Sequence, residues 1–453
     1  MDEYNQRLLV ESFNNKVKEY IELGNTSEEA TTLAEKDFSP EELKLIRQYY
    51  PTFNDVNEIV GRNFPHLTPI VETCLSVVLT LKLTDIKDPV GLNLIDDPSS
   101  EKTTVLSFFY NNSITYRTDD FTPRSFVTGL NINDEERLRS IDLLPRIENM
   151  VMVVPELAPI FGKRKEDLVE NLSILTRVFD GHGFIRDTGS TGRRGYDRPI
   201  MFAWLGATTP INYKTWSEMI RLGTRMFFLK MPATTENTED LIQDVFRTDY
   251  NEKVEECRQM VSRYLDSQFA CGVKTVKWDK QKDEQGALVL ITELVKLLTK
   301  LRSPLDTWKS EGDGEDNYQY VSPMKERPKR AMQILYNIVR GHALIFGRNY
   351  VTVEDIRILI PIVFSSMPDD RRKIWNLLVE NDGYLDYENV ARGFKCHPKH
   401  AYRIMKKLDI LGVADLHEGD SSDEYNKERK HLALKDEYKS LLQKLKDLGL
   451  FPY

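Results

Sequence analysis

Eight residues in the first quarter of the chain have the spacing of a phosphate-binding loop. They are residues 96–103, which follow the apolar run Val90–Ile95 and end in Lys102 and Thr103, as the pattern GxxxxGK[ST] requires. In such a loop the lysine reaches the β- and γ-phosphates of a nucleotide, and the hydroxyl residue binds Mg²⁺. The chemistry that these residues indicate is the binding of a magnesium-bound polyphosphate.

Both glycine positions of this loop carry acidic residues, Asp96 and Glu101. Glycine is required there because the backbone must curl tightly and direct its N–H groups at the phosphates. Two unit charges ~4 Å apart near a protein surface repel by about 4 kcal/mol, so each acid opposes a bound polyphosphate. We therefore predict weakened nucleotide binding; the alternative is a helix N-terminus that matches the pattern by chance. The predicted nucleotide-binding residues are Ser99, Ser100, Lys102, Thr103 and Thr104, with Thr103 as the Mg²⁺ ligand.

Two later apolar runs end in residues that could act on a bound nucleotide. Residues 150–154 lead into Pro155 and Glu156, and a side chain in this place orients the attacking water in phosphoryl-transfer enzymes. Residues 200–205 lead into a turn that contains Thr208, whose small polar side chain could orient the same water. An alternative role for Glu156 is to cap the helix that follows it.

The order of these segments predicts the fold. Apolar strands alternate with helical segments, which is typical of an α/β fold in which helices cover both faces of a parallel sheet. The strands are expected at 90–95, 150–154, 200–205 and 225–229. The units are expected to be a helical appendage at 1–60, an α/β core at 61–240, a helical region at 241–366 and a smaller domain at 367–453.

The composition excludes several classes of protein. The net charge of −9 over 453 residues excludes a chain that coats nucleic acid with its whole surface, so DNA contacts would need local basic patches. The four cysteines lack CxxC spacing, which gives no basis for a structural zinc site or a disulfide framework. The N-terminus lacks a signal-peptide pattern, and the most apolar stretch, residues 73–83, is too short to cross a membrane. We expect a cytoplasmic protein with no membrane partner.

The most specific family signal in the chain lies in residues 330–356. Arg330 opens a helix that contains Gly341, and a short turn then precedes the sequence VTVEDI at 351–356. Thr352 suits a helix N-cap followed by acids in the first turn. Together with the phosphate loop and the two strand ends, this segment resembles the AAA+ ATPases of the minichromosome-maintenance (MCM) group. It also resembles the lid of MoxR-type ATPases.

The resemblance spans residues 61–366 and implies an AAA+ P-loop core with a helical lid. It implies ATP and Mg²⁺ as cofactors and a homo-oligomer, in the form of a hexameric ring. It further implies that Arg330 is a sensor-2 residue and that Arg225 is an arginine finger serving a neighbouring subunit. For any single arginine, a surface salt bridge is the alternative. The side chains expected to face one common pocket are Lys102, Glu156, Thr208 and Arg330.

A glycine-flanked basic segment precedes the third strand. In residues 181–198 a doubly basic tip, Arg193 and Arg194, lies between extended residues, which predicts a protruding β-hairpin. MCM-like helicases carry such a hairpin just before sensor 1, pointing into the channel of the ring. By this resemblance Arg193 and Arg194 would bind the DNA backbone, with Arg186 as a weaker candidate. A flexible surface loop and a contact between subunits are the alternatives.

The C-terminal domain has the pattern of a winged helix. Three helices are predicted at 371–380, 387–394 and 398–411, and two strands flank a wing loop at 418–430. The third helix buries one stripe at helical spacing and exposes basic residues, which would meet DNA phosphates if this helix entered the major groove. These residues are Lys399, Arg403, Lys406 and Lys407. Winged helices also serve protein contacts, for which the acidic wing loop is suited.

These patterns favour a ring-forming, ATP-dependent DNA helicase or translocase, similar to the MCM-like helicases that replicate mobile elements. Such a protein would be nucleoid-associated in a prokaryotic-type cell. Because Asp96 and Glu101 oppose nucleotide binding, the alternative is a catalytically silent AAA+ scaffold or regulatory subunit bound to DNA. A MoxR-type ATPase that remodels proteins is a third class, and the basic hairpin and the winged helix count against it.

Overall fold

A five-stranded parallel sheet lies at the centre of the computed structural model of this chain. The residues that it describes are 3–23, 25, 27–130, 134–189, 192–223, 225–233, 238, 248–309, 318–320, 323, 324, 326–417 and 430–450. The strands of the sheet are β1 (Val90–Ile95), β2 (Thr115–Arg117), β3 (Val151–Val154), β6 (Ala203–Thr208) and β7 (Met226–Lys230). Their spatial order is β2-β3-β6-β1-β7. Among these residues, no helix combines the length and apolar character that crossing a bilayer would need.

The first three helices of the described residues are α1 (Glu3–Glu22), α2 (Ser27–Glu35) and α3 (Pro40–Tyr49). Val10, Phe13 and Val17 recur at helical spacing in α1 and form one side of a small hydrophobic cluster with α2 and α3. Ser39 caps α3 through a reciprocal capping box with Glu42. This cluster is separate from the two larger ones that cover the sheet.

Both faces of the sheet are covered by apolar side chains. Successive strand residues point to opposite faces, so Ala203 and Leu205 enter one hydrophobic cluster and Trp204 enters the other. All of β6 is buried, as expected of a strand in a parallel sheet covered on both sides. The predicted α/β fold with helices on both faces is confirmed. The helices are α4 (Phe53–Asn63), α5 (Thr68–Leu79), α6 (Lys102–Ser107), α7 (Glu135–Ile141), α8 (Leu143–Arg146), α9 (Ala158–Phe161), α10 (Lys165–Val178) and α11 (Tyr213–Arg221), with 3₁₀ turns at Pro65–Leu67, Thr80–Lys82 and Pro123–Phe126.

The parallel register places the carboxyl ends of three strands at one edge. β1 pairs with β6 from Val90↔Ala203 to Ile95↔Thr208, and it pairs with β7 up to Ile95↔Lys230. The loops that follow these strands therefore leave the sheet side by side. The segments that precede them lie at the opposite, amino edge of the sheet.

The helical lid follows β7. Its helices are α12 (Tyr250–Gln268), α13 (Gln285–Leu301), α14 (Pro328–Ile345) and α15 (Leu359–Ser365), with a 3₁₀ turn at Val353–Ile358. Between α13 and α14 the structure contains an antiparallel hairpin, β8 (Thr307–Lys309) paired with β9 (Tyr318–Tyr320). The sequence does not predict this hairpin, since two runs this short give no readable hydrophobic period. Residues 310–317, between the two strands, lie outside the described residues.

Helix α14 runs antiparallel to α5 in close contact. A β-carbon added at Gly341 would lie 1.8 Å from a backbone carbonyl oxygen of α5, so glycine alone permits this approach. Near the start of α14, Gln333 donates to Asp88, which precedes β1, at 2.9 Å. Near its end, His342 lies 3.0 Å from Glu72 of α5. The first turn of α14 is therefore at the amino edge of the sheet.

A buried ionic network ties the lid to α5. His342 lies 2.6 Å from Asp355 through Nδ1 and 3.0 Å from Glu72 through Nε2. Arg348 donates twice to Asp355 at 2.8 Å, and Arg357 pairs with Glu72. Burial opposes protonation of His342, but its hydrogen bonds to Asp355 and Glu72 raise the pKa above its ordinary value. Burial also opposes ionisation of Asp355, yet the bonds from His342 and Arg348 lower its pKa to about 2.

The C-terminal domain consists of α16 (Asp369–Glu380), β10 (Tyr384–Asp386), α17 (Tyr387–Phe394), α18 (Pro398–Ile410), β11 (Ala414–His417), β12 (His431–Leu434) and α19 (Asp436–Asp447). Its antiparallel sheet has the order β10-β12-β11, which is the arrangement expected of a winged helix. The sequence did not predict strand β10 or helix α19. Arg371 of α16 is buried and donates to the carbonyl oxygens of Leu301 and Ser303, so it fastens this domain to the lid. Residues 418–429 of the expected wing loop lie outside the described residues.

The lid network predicts a pH-dependent stability. Because the pKa of His342 is raised in the folded protein, its stabilisation is complete below the unfolded value of about 6.5 and is lost as pH rises through the folded value. Replacing His342 by glutamine, which cannot be protonated, should cost about 3 kcal/mol at pH 6, since it breaks a buried ion pair. Urea unfolding of wild type and His342→Gln at pH 6 and pH 9 checks this. The difference between the two proteins should shrink at pH 9, and a difference that does not change with pH would contradict the role given to His342.

Candidate nucleotide site and DNA-contact surfaces

Three of the residues predicted to act on a nucleotide meet at the carboxyl edge of the sheet. Lys102 opens α6 after β1, and Thr208 ends β6, the strand beside β1. Asp96 donates its backbone N–H to the carbonyl oxygen of Thr208 at 3.4 Å. Glu156 follows β3, the strand on the other side of β6, so it lies at the same edge, and its charge raises the pKa of the Lys102 ammonium. An ammonium, a hydroxyl and a carboxylate are thus gathered in one place.

The phosphate loop is folded around its own lysine. An ammonium group has three N–H donors, and those of Lys102 contact the carbonyl oxygens of Asp96 at 2.9 Å and Asp97 at 2.6 Å and the hydroxyl of Ser100 at 2.8 Å. Burial lowers the pKa of Lys102, and the charges of Asp96, Glu156 and Asp97 oppose that shift. In this conformation the loop satisfies Lys102 internally, so a phosphate has to displace loop oxygens to reach it.

Glu101 shows why glycine suits this loop. Its backbone is left-handed, with φ of 58°, and so is that of Ser99, with φ of 65°. A left-handed backbone costs a residue with a β-carbon about 1–2 kcal/mol, which glycine avoids. The carboxylate of Glu101 contacts Nε2 of His66, a partner that the sequence did not suggest. Asp96 is not among the positive-φ residues, so its effect on a phosphate is electrostatic.

Glu156 and Thr208 are engaged in local hydrogen bonds. The Glu156 carboxylate accepts the backbone N–H of Ala158 at 2.8 Å, which is the capping role given above as the alternative. Its side chain is nevertheless exposed, whereas Thr208 is buried and donates to the Thr209 carbonyl oxygen at 3.1 Å. Thr103 is exposed, and Thr104 lies 2.8 Å from the Tyr250 hydroxyl.

The structure corrects the position expected for Arg330. Arg330 does not face the pocket of Lys102, because the antiparallel packing of α14 on α5 carries it to the amino edge of the sheet. There it lies 3.9 Å from Asp180, with 65% of its side chain exposed. Arg225, which precedes β7, lies at the same edge. Its side chain is 5% exposed and pairs with Asp180, so in this conformation it does not reach outward as a finger. Asp180 was not identified from the sequence, because only the fold brings it to these arginines.

The basic segment before β6 forms the predicted hairpin, from β4 (Phe184–Thr188) and β5 (Gly192–Tyr196). The Tyr196 hydroxyl donates to the Asp142 carboxylate at 2.9 Å, and this bond anchors the hairpin to the core. Arg186 donates to the carbonyl oxygen of Val127 at 2.8 Å, so it serves as a second anchor. Arg193 is exposed at the free end, 3.7 Å from the Asp197 carboxylate, and Arg194 is half-buried. Residues 190 and 191 at the tip lie outside the described residues.

The predicted DNA-reading helix of the winged helix is α18. It buries Ala401, Ile404, Met405 and Leu408. Lys407 is directed inward to Asp370 at 3.0 Å and links α18 to α16. The opposite face carries Lys399, Arg403 and Lys406, but Tyr320 of β9 lies against it. The Tyr320 hydroxyl donates to the Arg403 carbonyl oxygen at 3.4 Å, and its ring lies 5.8 Å from the Lys406 ammonium.

Comparison with known proteins supports the lid. Residues 325–366 match the family described as the AAA lid domain. The solved structure of the Aeropyrum pernix Orc1 protein in complex with DNA is 13% identical, with 84% of this chain and 93% of that chain covered and a TM-score of 0.24. The apo structure of the NrS-1 C-terminal region is 9% identical, with 85% of this chain and 76% of that chain covered and a TM-score of 0.27. Scores this low establish no shared overall arrangement. No curated protein matches the chain.

The sheet and the lid together confirm the predicted class of fold. A parallel sheet covered by helices on both faces, a lysine-bearing loop after β1 and an AAA-type lid define an AAA+ architecture. The roles of the individual residues remain predictions.

Replacing Glu101 by glycine should strengthen nucleotide binding. The substitution removes a β-carbon from a left-handed backbone and a charge from beside the phosphates. If the two effects together recover about 1.4 kcal/mol, the gain is about tenfold. Titration with a fluorescent ATP analogue and Mg²⁺ measures it. The control is Glu101→Gln, which removes the charge and keeps the side chain, so it should recover only the electrostatic part. Equal affinities for the wild type and both variants would rule out this account of the loop.

Proposed function

We propose that the chain is an MCM-like AAA+ protein that assembles into a homo-oligomeric ring and moves on DNA with ATP hydrolysis. The observation that supports this most is the division of charged groups between the two edges of the sheet. Lys102 and Glu156 lie at the carboxyl edge, and Arg225 and Arg330 surround Asp180 at the amino edge. A ring would bring the amino edge of one copy to the nucleotide of the next.

The residues at the carboxyl edge fit Mg-ATP in chemical type. Lys102 would bind the phosphates, Thr103 would hold Mg²⁺, and Glu156 and Thr208 would orient the water, while ATP supplies the phosphoryl group that is transferred. Before they can act, Lys102 must leave the oxygens of its own loop, and Glu156 must release its helix cap.

Of the two arginines, Arg330 is the better candidate to act on a neighbour. It is largely exposed and its contact with Asp180, at 3.9 Å, is loose. Arg225 is buried against the same carboxylate, where it holds Asp180 in place. An arginine that approaches the transferring phosphoryl group stabilises its charge and accelerates transfer. We therefore assign the finger role to Arg330 and a positioning role to Arg225.

DNA would be contacted through the hairpin of β4 and β5. Its exposed end carries Arg193, and Arg194 neighbours it on the same strand. Arginine binds phosphate oxygens through charge-assisted hydrogen bonds, without reading the base sequence. With a net charge of −9, the chain needs such a local basic element to hold a polyanion.

A second candidate function is favoured by the loop itself. All three donors of Lys102 are taken up within the loop, and Glu101 stands in a conformation that suits glycine. A chain that never reopens this loop would be a DNA-bound AAA+ scaffold without turnover.

Mixing two inactive variants tests the shared site. A Lys102→Ala subunit cannot bind nucleotide, but its Arg330 can still act on the site of a neighbouring subunit. An Arg330→Ala subunit keeps its own nucleotide site but cannot act on the site of its neighbour. If the site is shared, a ring assembled from both variants contains some complete interfaces, so its steady-state ATPase rate with DNA should exceed the sum of the two separate rates several-fold. Lys102→Ala mixed with itself is the control. A wild type without turnover supports the scaffold instead, and an active wild type whose mixture shows no gain contradicts the shared site.

Removing the hairpin arginines should weaken DNA binding. In the double variant Arg193→Ala/Arg194→Ala, two phosphate contacts fewer should make the negative slope of log K against log salt shallower by about 1.8 for duplex DNA. Fluorescence anisotropy from 50 to 200 mM salt measures this slope. Arg62→Ala is the control, because Arg62 is an exposed arginine paired with Glu256 in another part of the fold. A slope unchanged from wild type would exclude the hairpin as a DNA contact.

A further inference from the structure

The carboxylate of Glu101 faces away from the lysine of the phosphate loop. It contacts Nε2 of His66, which lies in the 3₁₀ turn Pro65–Leu67 between α4 and α5. Burial lowers the pKa of Lys102 and other carboxylates oppose this shift, but Glu101, its neighbour in sequence, is not among them. The charge of Glu101 acts instead on Tyr250, whose pKa is raised by burial and, to a smaller extent, by this carboxylate. Glu101 is thus directed toward His66 and Tyr250.

The turn that carries His66 is packed against the helix that follows the loop. Phe64 and Leu67, on either side of His66, are buried. The ring of Phe64 lies against that of Phe108, the residue directly after α6, with 5.8 Å between the ring centroids. Since α6 begins directly after Glu101, the imidazole and the carboxylate belong to one packed unit. Their contact is therefore fixed by the fold and not by the loop alone.

The contact between His66 and Glu101 has the chemistry of a charge-assisted hydrogen bond. An ionised carboxylate has no proton to donate, so Nε2 of His66 supplies the N–H. Bonds of this type are stronger than those between neutral groups. The side chains of His66 and Glu101 are 34% and 29% exposed, so both are partly shielded from solvent. Salt screens such a pair less than it screens a fully exposed one.

The direction of the Glu101 carboxylate decides how strongly it opposes a bound phosphate. Coulomb repulsion varies inversely with distance, so a carboxylate turned out of the loop repels a phosphate less than one turned into it. His66 holds the carboxylate on the side away from Lys102, the residue that would reach the phosphates. The other acid of the loop, Asp96, has a different neighbour, because its carboxylate lies 3.9 Å from the Lys230 ammonium.

We infer that His66 is a positioning residue of the nucleotide site, and that its hydrogen bond to Glu101 lets an acidic residue occupy a glycine position of a working phosphate loop. The inference rests on the proposed binding of ATP, and it adds the residue that makes the acidic loop compatible with this ligand. His66 acts through Glu101 and is assigned no contact with the nucleotide.

A double-mutant cycle in the full chain tests the inference. A fluorescent ATP analogue with Mg²⁺ is titrated into the wild type, His66→Ala, Glu101→Gly and the double variant. In the wild-type background His66→Ala should weaken binding about tenfold, the order expected for the loss of a hydrogen bond to a charged group. In the Glu101→Gly background the same substitution should change affinity by less than about twofold, because no carboxylate is left to position.

The matched control replaces the other acid of the loop. In an Asp96→Gly background Glu101 is still present, so His66→Ala should again weaken binding about tenfold. A second readout is competition by Mg²⁺-bound tripolyphosphate, which has neither base nor ribose. His66→Ala should weaken this competitor by the same factor as the analogue, since the carboxylate of Glu101 acts on phosphates.

Several results overturn the inference. An unchanged affinity in His66→Ala does so, and so does a loss that is as large in Glu101→Gly as in the wild type. A loss seen with the analogue but not with tripolyphosphate would place His66 at the base or the ribose instead. A wild type that does not bind, beside a Glu101→Gly variant that does, would mean that His66 fails to keep Glu101 away from the phosphates.

The remaining arms separate a folding defect and a failure of the proposed function. If His66→Ala lowers the thermal midpoint, His66→Gln decides, because its amide N–H can take the place of the Nε2 donor. His66→Gln should bind the analogue more tightly than His66→Ala, and equal losses contradict the inference. Absence of ATP binding from every variant, Glu101→Gly included, would reject the proposed nucleotide site together with the inference. Binding that does not respond to His66 rejects the inference alone.

Discussion

The parallel pairing of β1 with β6 and β7 is the constraint on which the candidate site depends. In a parallel sheet all carboxyl ends lie on one edge, so residues far apart in sequence, such as Lys102 and Thr208, are brought together by strand direction alone. An antiparallel β6 would have moved Thr208 to the far edge. The burial of both faces enforces the arrangement, because each strand alternates its side chains between two hydrophobic clusters.

The packing of α14 on α5 separates a predicted site residue from the pocket of Lys102. Their antiparallel contact, close enough that Gly341 admits no β-carbon, carries the start of α14 away from the phosphate loop. Arg330 therefore joins Asp180 and Arg225 at the amino edge. The chain therefore holds two separate groups of charged residues, one at each edge of the sheet, and in the proposed ring the amino edge of one copy would meet the carboxyl edge of the next.

Many basic side chains of this acidic protein are used for internal contacts. Arg371 fastens the C-terminal domain to the lid, Arg186 anchors the hairpin, and Lys407 links two helices. Such contacts satisfy buried or half-buried carbonyl and carboxylate groups, which would otherwise lose their hydrogen bonds to water. A basic residue at a suggestive place in the sequence is therefore weak evidence for DNA binding, and its partner in the fold has to be known.

The sequence by itself determined the local elements: the lysine-bearing loop after β1, the hairpin before β6, the VTVED turn of the lid and the inward stripe of α18. Each depends on residues within one or two turns or strands, whose periodicity and turn chemistry are local. Only the tertiary structure decided which edge Arg330 occupies, that His66 meets Glu101, and that Tyr320 contacts α18. These contacts join residues 35 to 150 positions apart, and they depend on helix direction and close packing, which no local pattern encodes.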